Sequence, residues 1–250
     1  MRRTLICSAL LLFSAFLLAE KQAKKTSSID FSSGVGFSFN VIDCQIGDAA
    51  IANKLTLLYP SLKFDLDIME YLTVGVFVGY NLAHMNQAVD FVQLPLSLEL
   101  NQTKFQGLLF GARLQSQPFS IGDFSLKAAG ELLFAREGGK NWDIALPLVK
   151  GAATGKNQFS LTTVDLLFQY EGFSGVTLFA GPRLNLLNGK MTVTETIESI
   201  DGSQELTFKQ KNLIGPTAGA SFELGSNWEV IIKGSLVSRL SASLEISYSR

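Results

Sequence analysis

Period-two alternation runs through strand-length segments of this chain and describes an all-β fold. The expected form is an antiparallel up-and-down transmembrane β-barrel of eight to ten strands, ten by the strand tally. Three features carry this expectation. The apolar faces run for about ten residues per segment, the length a tilted strand needs to cross a bilayer. Charged residues keep to the opposite face. The connections alternate between long and short along the chain.

The clearest segment is residues 71–82. Leu72, Val74, Val76, Val78, Tyr80 and Leu82 fall on one face, and Thr73, Gly75, Phe77, Gly79 and Asn81 on the other. Just upstream, Leu62, Phe64, Leu66 and Ile68 alternate with Ser61, Lys63, Asp65 and Asp67. Only a short turn at 67–70 separates the two runs, so they form a hairpin.

The N-terminus is built differently. Met1-Arg2-Arg3 is a basic start, residues 5–18 are almost wholly apolar, and Ala19 is a suitable last residue before cleavage. This is the pattern of a secretory signal peptide over 1–19, with a polar linker at 20–28 and the barrel at 29–250. Cys7 falls inside the leader, which leaves Cys44 alone in the mature chain and excludes an internal disulfide. Of 250 residues 47% are hydrophobic and 17% charged, yet no internal run is long enough for a membrane helix. The weakly acidic balance, formally −1 and lower once the two leader arginines are gone, argues against a nucleic-acid partner.

The first strand, 29–41, places Phe31, Val35, Phe37, Phe39 and Val41 on one face. Residues 42–53 break the pattern with Asp43, Cys44, Gly47 and Asp48 and read as a loop before the founding hairpin. Residues 92–100 alternate again despite Pro95, in phase with the fourth strand at 105–116, and read as its extension. After a break at 117–122 the fifth strand presents Phe124, Leu126, Leu132 and Phe134. Residues 137–158 read as a long Gly-bearing loop. The sixth strand shows Val164, Leu166, Phe168 and Tyr170, and the seventh Val176, Leu178, Ala180, Leu184 and Leu186. Residues 190–210 form a Thr-rich hairpin turning at Asp201-Gly202, a dipeptide suited to a tight turn. Three more strands follow, through Ile214–Leu224, Trp228–Leu236 and Leu240–Tyr248. Short turns on one side and long connections on the other are the asymmetry of bacterial outer-membrane barrels.

With the apolar face toward lipid, the lumen receives Lys63, Asp65, Arg113, Lys127, Glu131, Asp165, Arg183, Glu223, Glu229, Lys233, Arg239 and Glu245, six bases and six acids. A charge at mid-bilayer on the lipid face costs roughly 2–4 kcal/mol, so their absence from that face supports the phasing. Inside a narrow lumen, opposite charges should pair, because an unpaired one is costly. The balance favours a salt-bridged plug over an ion-selective pore. Outward aromatics gather near the two rims: Phe31, Phe124, Tyr170, Phe222, Trp228 and Tyr248 at one, Phe39, Tyr80 and Phe134 at the other.

The run Phe179-Ala180-Gly181-Pro182-Arg183-Leu184-Asn185-Leu186-Leu187-Asn188-Gly189-Lys190 resembles an aromatic-small-Gly-Pro-x-Leu strand of small outer-membrane β-barrels, the OmpA-like and Bacteroidetes-type barrel domains. Leu94-Pro95-Leu96 is similar to another of their strand starts. The resemblance implies residence in the bacterial outer membrane, lipid as the surrounding solvent, and recognition of the C-terminal strand by the barrel-assembly machinery, with Tyr248 the nearest equivalent of the terminal aromatic. An extracellular ligand would meet the long loops.

No catalytic constellation stands out. His84 is the single histidine and has no Asp-x-His or His-Ser partner in sequence. One His and one mature Cys fall short of a zinc site. Asp43 and Asp48 suit a solvated acidic loop better than a calcium site. The expectation is a non-enzymatic barrel without cofactor or metal, structural or surface-interacting. A narrow porin-like channel is the alternative, and a soluble lipocalin-like barrel a further one.

Overall fold

A computed structural model describes residues 30–47, 51–69, 71–85, 88–90, 97–99, 104–146, 149–197, 200–237 and 239–249. The expected leader at 1–19 and linker at 20–28 lie outside them. The strands are β1 (Asp30–Ile46), β2 (Ile51–Met69), β3 (Leu72–Met85), β4 (Ala88–Asp90), β5 (Ser97–Glu99), β6 (Lys104–Ile121) and β7 (Phe124–Glu137). They continue as β8 (Lys140–Leu146), β9 (Val149–Phe173), β10 (Val176–Ile197), β11 (Ile200–Gln210), β12 (Ile214–Leu224), β13 (Trp228–Ser235) and β14 (Leu240–Ser249). β4 and β5 pair with each other, and the other twelve form one sheet.

Ten of the twelve make a complete circuit: β1, β2, β3, β6, β7, β9, β10, β12, β13 and β14 pair antiparallel in that order. β14 then closes on β1, from Ser32 opposite Ser249 to Val41 opposite Leu240. Closure leaves this circuit without an edge, which a barrel in lipid requires. At one end the strands are joined by tight turns. Gly122, Gly175 and Gly225 carry positive φ there, at 57°, 71° and 78°, a conformation glycine adopts without a Cβ penalty. This is the turn end.

The opposite end departs from the sequence expectation. Residues 42–53, 137–158 and 188–211 were expected to be largely connections, apart from the hairpin at 190–210, and are mostly strand. β9 and β10 run 25 and 22 residues, whereas β12, β13 and β14 run only 11, 8 and 10. Beyond the reach of the three short strands, β11 takes their place. It pairs with β10 along Asn188–Ile197 and with β1 at Cys44, Gln45 and Ile46. The ten-strand circuit thus gives way to a circuit of eight at this extended end. The turn expected at Asp201-Gly202 is strand: Asp201 and Gly202 pair with Thr196 and Glu195, and Ile200 with Ile197. Residues 117–121 are strand as well, with a register irregularity between Ser116 and Phe119. Of the expected strand at 92–100, only Ser97–Glu99 is described, and it belongs to the small β4–β5 sheet.

The cause is an inversion of hydropathy along strands that carry one inward-outward alternation from the turn-end half into the extended half. In the turn-end half, outward side chains such as Phe37, Phe64, Val76, Phe110 and Phe168 are exposed and apolar. Aromatic pairs sit on this belt, Phe124 with Tyr170 and Trp228 with Tyr248 at 5.0 Å between centroids, Phe110 with Phe134 at 5.7 Å. In the extended half the apolar residues point inward, and Lys54, Lys104, Arg136 and Lys190 point outward. Each half obeys the rule of its own solvent, lipid below and water above. Among the described residues no helix is long and apolar enough to cross a membrane; the strands do so.

Candidate functional site: a charged lumen closed at one end

Seven of the twelve charged residues expected inside gather into two ion-paired clusters. In the first, Gly75 lies between Asp65 and Arg113 in cross-strand register, and a Cβ there would collide with the Asp65 carboxylate. Arg113 therefore reaches across β3. It donates through Nε and Nη2 to the two oxygens of Asp65, a planar fork on a planar carboxylate. Its Nη1 donates to Glu245 at 2.8 Å. Lys63 donates to the other oxygen of Glu245, its chain passing over Gly36. In the second cluster Arg183 and Asp165 face each other on β10 and β9, bonded at 2.6 and 2.8 Å. Lys233 adds a further donor to Asp165 at 2.8 Å.

Lys127, Glu131, Glu229 and Arg239 line the same cavity as these clusters but make no ion pair among the described residues. Glu223 is placed differently. It is exposed beside the β12–β13 turn, where the inward direction already opens on solvent, and it does not line the cavity.

The cavity measures about 270 Å³ and runs from Ser249, exposed at the turn end, inward to Tyr59 and Arg239. Beyond that level the lumen is filled. Leu57, Leu109, Leu133, Leu161 and Leu187 are at most 2% exposed and belong to one apolar core with Ile42, Phe105 and Phe208. β12, β13 and β14 contribute nothing to this core among the described residues, as expected where β11 has replaced them.

Glu137, expected in the loop at 137–158, ends β7 instead. It is 3% exposed in the apolar half, and Asn81 Nδ2 donates to its Oε1. Gly107 lies between the two, where a Cβ would strike the Arg136 carbonyl and the Glu137 backbone. Its neighbour Arg136 points outward, just beyond the apolar belt. Burial pushes the Glu137 carboxyl up to about 8 against the opposing help of Asn157 and Asn81. The signal was present, since Leu133, Ala135 and Glu137 share the inward phase.

Cys44 is buried in the apolar half, and burial raises its thiol to about 11. His84 lies on β3, not in a loop, on the outward face between Thr56 and Lys104. Among the described residues no group of three or more His, Cys, Asp or Glu could hold a metal ion.

No protein-family model matches the sequence, and no curated protein does. Solved structures do match its backbone. The outer-membrane protease OmpT from Escherichia coli aligns with a TM-score of 0.55 at 9% identity, over 91% of this chain and 99% of that one. The translocator domain of the autotransporter NalP from Neisseria meningitidis covers 99% and 97% at 12% identity, with a TM-score of 0.45. At such identities a likeness carries fold alone, and the OmpT backbone is the one that carries it here. Together with the closed circuit and its lipid-facing belt, it gives this chain the fold of the bacterial outer-membrane β-barrels.

Proposed function

We propose that the protein is a closed, non-enzymatic barrel of the outer membrane whose extended end is a rigid platform for contacts at the cell surface. The turn end faces the periplasm, as short turns do in such barrels. Lipid surrounds the belt, the assembly machinery reads the C-terminal strand β14, and a surface ligand meets the tips of the β8–β9 and β10–β11 hairpins. The name of OmpT makes that protein a protease; at 9% identity no catalytic residue transfers.

The observation that supports closure is the apolar core across the extended half of the lumen. Ions would have to displace fully buried leucines, each worth about 1.5–3 kcal/mol in transfer from water. The test is conductance of the mature protein in planar bilayers, after a gel shift on heating shows that it is folded. A silent bilayer is expected. Reproducible unitary steps would overturn the closed reading in favour of a narrow channel.

A further inference from the structure

Arg239 differs from the other cations of the lumen. It is 7% exposed at the foot of the β13–β14 connection, and among the described residues its Nε and Nη1 are buried with no hydrogen-bond partner. Its main chain is pinned: the Arg239 carbonyl accepts from Ser235 Oγ at 3.1 Å, and Ser235 Oγ meets Ser241 Oγ at 2.6 Å. Arg239 is among the residues that line the 270 Å³ cavity, at its inner end.

Charge at that end is uneven. Arg183 and Lys233 already share the one carboxylate of Asp165. Arg239 lies within electrostatic reach of Arg183, Asp165, Glu131 and the Tyr59 hydroxyl. Three cations therefore face two acids, and two guanidiniums repel each other across the space between them. A buried charge without partners is among the costliest things a fold can hold. A monoanion beside Arg239 would satisfy its donors and cancel the excess.

We propose that the inner end of the lumen is a binding site for one small oxyanion, a carboxylate or a phosphate, that enters from the turn end and is held by Arg239. Charge-assisted N–H bonds from the guanidinium hold it, and Glu131 weakens binding by repulsion. The site is a dead end under the apolar core, so it binds without transporting. It goes beyond the closed-barrel reading and stands or falls separately from it.

The test is a titration of the mature protein in non-ionic detergent micelles, with arginine labelled so that side-chain Nε–H resonances are followed. Sodium acetate, inorganic phosphate and methylammonium chloride are the probes, at low ionic strength. Acetate or phosphate should shift the Arg239 signal saturably and methylammonium should not. Arg239→Gln, followed through the neighbouring Arg183 signal, should weaken binding about tenfold or more, and Glu131→Gln should tighten it. Acetate saturating where phosphate does not assigns a carboxylate ligand, the reverse a phosphate. If Arg239→Gln shows no gel shift on heating and has not folded, Glu131→Gln decides alone, and unchanged or weaker affinity overturns the site. Unsaturable response to both anions, or equal response to methylammonium, also overturns it.

Discussion

Gly75 shows how much of the lumen depends on a missing side chain. It sits between Asp65 and Arg113, and the fork between them crosses the space a Cβ would occupy. Gly75→Ala should destabilise the barrel by about 1–3 kcal/mol, as overpacking does, and urea unfolding in lipid vesicles would measure it. Asp165 holds two cations at once. Asp165→Asn should cost about 3–5 kcal/mol in the same measurement, since Arg183 and Lys233 lose their shared anion while remaining buried. Glu137 gives a dependence on pH. Its folded carboxyl titrates near 8 and its unfolded one near 4.5, so the folded state binds the proton more tightly. The stabilisation is complete below about 4.5 and is lost as pH rises through about 8. Unfolding of the wild type should therefore become easier from pH 5 to 9, and Glu137→Gln should flatten that slope; a slope unchanged by the substitution would assign it to another group.

Among the elements, β11 does what no sequence pattern announced, standing in for three strands that stop short. Its pairing with β1 is bracketed by bonds outside the regular ladder, Gly47 N–H to the Thr207 carbonyl at 2.8 Å and Lys211 N–H to the Asp43 carbonyl at 3.0 Å. Hydrogen exchange should find the amides of Gly47 and Lys211 protected nearly as well as those at the β1–β14 seam. Fast exchange at both, with the seam protected, would mean that the eight-strand circuit is open. The outward belt was legible at once, because Phe37, Val76 and Phe168 alternate with small or charged residues as lipid-facing strands must. The inward charges were legible for the same reason, with Glu223 misplaced only because alternation does not say where a strand meets the mouth. The extended half was not legible. Ile42, Cys44 and Ile46 keep the alternation, but on the face that had been polar one turn of the pleat earlier, and the change reads as a break in pattern. Pairing across Gly75 and Gly36 is also invisible in one dimension, since partners two strands apart share no local spacing.

Taken whole, the molecule has two interiors stacked on one set of strands: a polar one wrapped by lipid and an apolar one wrapped by water. Cutting the apolar interior should loosen one without dissolving the other. Leu161→Ala, at a side chain 1% exposed, should cost about 2–5 kcal/mol, yet leave the gel shift on heating intact because the lipid-facing circuit is untouched. Loss of the shift would make the two halves a single cooperative unit.

The inversion of hydropathy also sets a waterline on the barrel. A lipid bilayer cannot climb past Lys54, Lys104 and Arg136 without burying their charges, so everything above them is held clear. On β10 that is the stretch from Leu187 to Ile197, and eleven tilted strand residues rise about 25 Å. The paired strands β10 and β11 thus rise well above the headgroups, a height set by strand length and by the charges that stop the bilayer.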